Sequence, residues 1–397
     1  MQPPCTKTWI VLSFLSSASC YNVGRDLKSR RADAFISNVG PRAAGTQPLV
    51  VENLCSDSIW PAVASQHGTG PSTAGFELKP GESKSQTTSA DWQGRVWGRT
   101  NCSFNSAGTG PSNPNGGNAC DTGDCAGVLD CVVTGNTPVT LFEVLYQGGT
   151  QNKQDYYDIS LVDGYNLPMG LTYIPGNTST SQDIPPNLTN AICIGSAGWA
   201  SDAASTTTNA TYPLPYVSSS VTNNVLAKWC PWDLLVNAPT KPGDGVYPYP
   251  DDSIQRPLFS PCHSQCDFSH APADCCTGAY DSPDVCKATL YSTQSKTVCP
   301  DAYSFAYDDQ TSTFIIPSGG GWKVTFCPTG KSTNILKTFG PQLLALASGN
   351  TVSEAVIMDA QNLTLIQRGD APGAIEERRK VSSLGLLVAL VVWLCFW

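Results

Sequence analysis

Gly116-Gly117-Asn118-Ala119-Cys120-Asp121-Thr122-Gly123-Asp124-Cys125-Ala126-Gly127-Val128-Leu129-Asp130-Cys131 is the stretch whose reading decides the fold. Three cysteines stand within a dozen residues, punctuated by glycines and acids, and such density points to disulfides before anything else. The paired glycines and Thr122-Gly123-Asp124-Cys125 allow left-handed backbone angles, so the segment reads as a tight, cross-linked loop rather than a helix or strand.

Outward from that loop, the composition agrees. The chain of 397 residues holds 17 cysteines but only 3 histidines and 3 methionines. Zinc sites usually mix His with Cys, and a reducing cytosol leaves thiols unpaired, so disulfides in an oxidising compartment are expected rather than metal. Between residues 48 and 330, 11 Lys and Arg face 25 Asp and Glu, a net charge of −14. That field repels nucleic acid. No Gly-rich phosphate loop follows a strand and no His-rich spacing occurs, so no cofactor is expected.

Residues 1–20 carry Lys7, the apolar run Trp9 to Leu15 and then small residues, the pattern of a secretory signal peptide. Residues 21–47 read as a pro-segment or linker; Lys28-Ser29-Arg30-Arg31 within it is either a processing site or a solvated charge run. From Pro48 short apolar runs alternate with Gly, Pro, Asn and Ser, which predicts an antiparallel all-β sandwich over 48–192, closed by 300–328. Residues 193–299 have eight cysteines and few apolar runs, hence a second, disulfide-built subdomain with one helix from Ser282-Pro283-Asp284 to about Tyr291. Two polar insertions, 200–224 and 239–261, read as surface loops. Residues 329–369 read mostly as a stalk, although Leu343-Leu344-Ala345-Leu346 is apolar enough to dock.

The last fourteen residues, Leu384 to Trp397, are continuously apolar and span about 21 Å as a helix, short of a hydrocarbon core of about 30 Å. With the polar spacer Glu376 to Ser383 and small residues upstream, they match a lipid-anchor (GPI) attachment signal over 370–397, with Gly369 the preferred attachment residue and Asp370 or Gly373 the alternatives. Sequons at Asn177, Asn187, Asn209 and Asn362 are the expected glycan acceptors; Asn101, with Cys102 in its middle position, fits less well.

With Gly117, Cys120, Thr122-Gly123-Asp124-Cys125, Gly127 and Cys131 in this order, the loop resembles the signature of the thaumatin-like family, and the resemblance runs from about Pro48 to Pro328. It implies a mainly β fold, the thaumatin-like antiparallel β-sandwich with a disulfide-rich, partly helical second domain. It also implies the pairs Cys55–Cys327, Cys102–Cys120, Cys125–Cys131, Cys193–Cys299, Cys230–Cys262, Cys266–Cys275 and Cys276–Cys286. The usual family pattern has two more cysteines, and one of them stands where this chain has Ile316 before Pro317.

Members with an acidic cleft carry an arginine and four acids, which the resemblance places on Arg99, Glu143, Asp158, Asp163 and Asp308, with Asp309 as the alternative to Asp308. On an alternating strand Glu143 shares a face with Leu141 and Leu145, a setting that disfavours the charged carboxylate; Asp163 sits beside Gly164 in a turn, where ionisation is easier. Glu143 is therefore the expected general acid and Asp163 the base or nucleophile of a glycoside hydrolysis, with Arg99, Asp158, Asp308 and Tyr165 holding sugar. Tyr157 and Tyr303 are further stacking candidates, although a core role is the commoner reading for all three tyrosines. The implied ligand is β-1,3-glucan or another cell-wall polysaccharide. The expectation is a monomer, held to the membrane through its lipid anchor, that binds glucan in an acidic cleft, with hydrolysis there left open; a non-catalytic binding module, a defence protein and a structural wall protein are the alternatives. A purely structural reading makes Arg99 and the acids an ion-pair network between two domains.

Overall fold

Leu49, Val51 and Asn53 are buried on alternate positions of β1 (Thr46–Asn53), and this period of two marks a strand with one face on a core. The computed structural model describes residues 45–110, 118–176, 184, 186–200, 216–238 and 260–349. Nine further strands follow: β2 (Ile59–His67), β3 (Ser83–Ser89), β4 (Gln93–Thr100), β5 (Leu141–Gly148), β6 (Gln154–Ser160), β7 (Met169–Ile174), β8 (Ile192–Cys193), β9 (Phe314–Pro317) and β10 (Gly321–Phe326). They form two five-stranded sheets, ordered β3-β1-β10-β7-β8 and β2-β4-β5-β6-β9. All pairings are antiparallel except β1 with β10, where the first and last strands lie side by side.

The core lies between the sheets. Leu49, Val51, Leu171, Trp322, Val324 and Phe326 of the first sheet and Val96, Phe142, Val144, Tyr157, Ile159 and Phe314 of the second belong to one buried cluster. Seven disulfides are present among the described residues, the same seven pairs that the resemblance implies. Cys55–Cys327 ties the loop after β1 to the end of β10. Ile316, at the position of a missing cysteine, is fully buried in that core, so an apolar side chain fills the place of a sulfur.

The Cys-rich loop closes over the outer face of the second sheet. Asp124 Oδ1 accepts hydrogen bonds from the backbone of Ala119 (2.9 Å) and Cys120 (3.2 Å), and its Oδ2 accepts one from Gly127 (2.7 Å). Gly123 has φ +74°, and a Cβ there would lie 2.9 Å from Trp97 Cδ1, so glycine alone permits the approach in which Trp97 Nε1 donates to Gly123 O at 2.9 Å.

Three expectations need correction. The helix of the disulfide-rich segment runs Leu290–Val298, not 283–291, because Thr289 is its N-cap and accepts from Ser292 N, while Cys276–Cys286 holds the residues before it in turns. Thr329 to Gly349 is folded rather than a stalk. Thr333 Oγ1 accepts from Ile192 N, Asp301 accepts from Ile335 N (2.8 Å) and Leu336 N (2.9 Å), and Ile335, Phe339, Leu343 and Leu346 are buried. Asn187 is fully buried in a helical turn, so a glycan has no room there and it is not a surface acceptor. The signal peptide, most of the linker, most of both insertions, the rest of the stalk, Asn177, Asn209, Asn362 and Gly369 lie outside the described residues.

Candidate functional site

Three charged side chains stand in one row across the second sheet. Arg95 of β4 is registered opposite Glu143 of β5, and Glu143 opposite Asp158 of β6. Residues paired this way point to one side, here the side away from the sandwich core, which is filled from Val96, Phe142, Val144, Tyr157 and Ile159. Arg95 Nε lies 3.7 Å from Glu143 Oε1. Glu143 and Asp158 are direct cross-strand neighbours, with Cβ atoms about 4.5–5.5 Å apart in that geometry. Arg95 is 5 % exposed, and its Nη1 is buried without a hydrogen-bond partner.

Asp163 belongs to a neighbouring part of the same side. The turn after β6 is closed by Gly164 N donating to Leu161 O (3.0 Å), and Gly164 has φ +89°, with Cys262 O 2.6 Å from where a Cβ would stand. Asp163 O accepts from Val139 N (3.0 Å), two residues before β5 begins. The turn thus directs Asp163 into a cleft between the sandwich and the disulfide-rich segment, lined among others by Thr137, Gln265, Asp267, His270, Asp274 and Phe305. The cleft is shallow and open to solvent, and its about 610 Å³ of atom-free space includes that open mouth. Its two walls are tied together: Thr137 Oγ1 donates to Asp267 Oδ1, and Asp267 Oδ2 is paired with His263 Nδ1. Among the described residues, no three His, Cys, Asp or Glu are grouped to hold a metal ion.

Arg99, Asp308 and Tyr165 are not at this site. Arg99 is fully buried, with Nε donating to Trp60 O (2.8 Å), Nη1 to Val128 O (2.8 Å) and Nη2 to Leu129 O (2.7 Å) and Pro61 O (3.4 Å). It pins the Cys-rich loop to β2, and burial lowers its pKa to about 10 against the opposing pull of Asp124 and Asp130. Asp308 is buried beside Lys296 Nζ (3.2 Å) and accepts from Ser304 N (3.0 Å) and Ser304 Oγ (2.8 Å). Asp309, the alternative, accepts from Tyr303 OH at 2.7 Å; burial first, then Asp158 and Asp309, push that phenol's pKa up. Tyr165 is 1 % exposed, shares a 2.9 Å hydrogen bond with Ser196 Oγ and packs edge-on to Trp229, so no ring face is open to sugar. Tyr157 is likewise buried, its hydroxyl donating to Thr189 O.

Sequence reasoning missed Arg95. It stands four residues from Arg99 on the same strand face, and only the cross-strand register decides which of the two meets Glu143. Asp267 and Phe305 were missed as well, because they reach the cleft from segments more than a hundred residues beyond Asp163.

Comparison with known proteins places these features. The thaumatin family profile matches residues 53–328. The chain is 35 % identical over 294 residues to pathogenesis-related thaumatin-like protein 3.5 of Cryptomeria japonica, covering 73 % of this chain and 93 % of that one. It is 34 % identical to thaumatin-like protein 1 of Arabidopsis thaliana, covering 71 % and 86 %, and 34 % identical to pathogenesis-related protein 5 of the same plant, covering 70 % and 90 %. Among solved structures, a thaumatin-like xylanase inhibitor aligns at 36 % identity over 33 % of this chain and 78 % of its own, with a TM-score of 0.26. With the Cys-rich loop, the seven disulfides and the two sheets all in place over the matched span, the chain belongs to the thaumatin family.

Proposed function

We propose that this is an extracellular, cell-wall-associated protein that binds β-1,3-glucan along the Arg95, Glu143 and Asp158 row and into the cleft at Asp163. The observation that carries the reading is the row itself, Arg95 opposite Glu143 and Glu143 opposite Asp158 on the face of the sheet turned away from the core. A guanidinium beside two carboxyl groups sets donors next to acceptors, the pattern that neighbouring hydroxyls of one sugar match. Calorimetric titration with a β-1,3-glucan hexasaccharide tests it. Arg95→Met should weaken binding at least tenfold, about 1.4 kcal/mol, and absence of binding by the unaltered protein refutes the reading.

Hydrolysis is a second reading, favoured by the direct opposition of Glu143 and Asp158. Carboxyls about 5–5.5 Å apart suit a covalent glycosyl intermediate and about 6.5–9.5 Å apart suit direct attack by water, with Glu143 as acid and Asp158 or Asp163 as its partner. Release of reducing ends is expected, abolished in Glu143→Gln while binding stays within about tenfold. If the unaltered protein releases none, the binding-module reading stands alone. Secretion and a lipid anchor near Gly369 complete the proposal; treating intact cells with a phosphatidylinositol-specific phospholipase should release the protein, and a mature chain retaining Trp397 contradicts the anchor.

A further inference from the structure

We infer that Phe305 is the platform on which a pyranose ring stacks when it enters the cleft, and that the turn Ser304–Asp308 exists to hold it there. The inference rests on the carbohydrate reading above. A β-linked hexopyranose has apolar faces of C–H groups and a rim of hydroxyls, so its site needs an open aromatic face flanked by hydrogen-bonding groups. The tyrosines next to the acids in sequence do not supply that face in the cleft: Tyr156 and Tyr307 are half-buried but do not line it. Tyr157, Tyr165 and Tyr303 are buried, and Tyr291, which lines the cleft, is buried with its hydroxyl donating to Leu161 O at 2.7 Å.

Phe305 has the required placement. It is half-buried, packs against the Cys276, Cys286 and Ala306 cluster, and lines the cleft together with Asp163, Asp267 and Gln265. Its ring has no polar atom to satisfy, so stacking on it desolvates carbon alone.

The backbone on either side is fixed. Asp308 Oδ2 accepts from both Ser304 N and Ser304 Oγ, Asp308 N donates to Phe305 O at 3.2 Å, and Lys296 Nζ holds Asp308 at 3.2 Å. Lys296 is itself anchored by Pro300 O (2.7 Å), Ala302 O (3.0 Å) and Ser312 Oγ (2.7 Å). An aromatic held this way loses little freedom when a sugar docks, which is the condition for a productive stacking residue. Asp308 therefore acts on the ligand through Phe305 and not by contact.

Calorimetry with hexasaccharides of β-1,3-glucan, cellulose and chitin, on the unaltered protein and on Phe305→Ala, Phe305→Leu and Phe305→Trp, tests the inference. The alanine and leucine variants should each lose at least tenfold in affinity for whichever oligosaccharide binds, and leucine keeps an apolar contact with the disulfide cluster so that folding is preserved. The tryptophan variant should retain binding and show a ligand-dependent change in emission that the unaltered protein lacks. If the unaltered protein binds but the leucine variant binds equally well, or the added indole is blind to saturating sugar, Phe305 is not the platform while the glucan reading survives. Binding of cellulose or chitin oligomers but not β-1,3-glucan, with loss in both variants, retains Phe305 and removes the glucan assignment. No binding of any of the three removes both.

Discussion

Arg95 and Arg99 share one face of β4 and are put to opposite uses. Arg99 spends its guanidinium on backbone carbonyls of two segments, so Arg99→Met leaves Trp60 O, Val128 O and Leu129 O without their donor in a buried place. At about 1–3 kcal/mol for each buried group left unmet, the expected loss is roughly 3 kcal/mol or more, read as a lower denaturant midpoint. Arg95→Met removes a donor that had no partner at Nη1, so its stability should stay within about 1 kcal/mol while glucan affinity falls. Both arginines were legible as strand residues in Gly94-Arg95-Val96-Trp97-Gly98-Arg99, but their neighbours were not, since register across β2, β4 and β5 depends on partners far away in sequence. Asp155 adds a pH dependence. Burial raises its pKa to about 8 although Gln147 N and Gly319 N donate to it. Between the ordinary value near 4 and about 8 the folded chain holds one proton more than the unfolded chain, so stability from this group is full below about pH 4 and falls as pH rises to about 8. Urea midpoints should therefore drop from pH 5 to pH 8 with a slope that Asp155→Asn flattens; an unchanged slope in that variant would remove Asp155 as the cause.

At the scale of elements, what the sequence announced was alternation and what it concealed was docking. The β-strand runs were readable because buried and exposed residues alternate, as in β1, and Leu343-Leu344-Ala345-Leu346 was readable as apolar. That Thr329 to Gly349 joins the fold depends instead on Asp301 and Ile192, which present an acceptor and a strand edge to it. The helix at Leu290–Val298 was misplaced by seven residues because Ser282-Pro283-Asp284 looks like a start while the capping geometry sits at Thr289. Burying Ile335, Phe339, Leu343 and Leu346 at about 1.5–3 kcal/mol each stabilises by roughly 6–12 kcal/mol before ordering costs, comparable with the whole stability of a domain. A chain ending at residue 328 should therefore melt far lower than one ending at 349, or fail to fold, while the 349 form should match the full chain in thermal unfolding followed by circular dichroism. Equal melting of the 328 and 349 forms would return the segment to the status of a stalk.

For the whole molecule, the disulfide map decides how the ends are held, and it became legible only through the family resemblance, because fourteen cysteines admit too many pairings for spacing to choose. Cys55–Cys327 closes a separation of 272 residues beside the parallel β1 and β10 pair, whereas Cys125–Cys131 closes only 6. Constraining the unfolded chain is worth roughly 5–6 kcal/mol for the long loop and roughly 2 kcal/mol for the short one by the loop-entropy estimate at 25 °C. The long bridge acts on the chain as a whole, since without it the first and last strands can leave the sheet together. The missing family bridge argues that such loss is survivable where apolar packing takes over, as at Ile316 in the core. No such filling is available at Cys55 and Cys327, whose sulfurs already occupy buried sites that alanine leaves partly empty. The double variant Cys55→Ala with Cys327→Ala should thus lose more stability than Cys125→Ala with Cys131→Ala by at least about 2 kcal/mol in guanidinium unfolding. The short-loop variant should in turn lose more of its glucan binding relative to its stability, because the loop it loosens is the one Arg99 pins beside the row of Arg95 and Glu143. The reverse order in stability would mean that strain or local packing, and not chain constraint, sets what each bridge contributes.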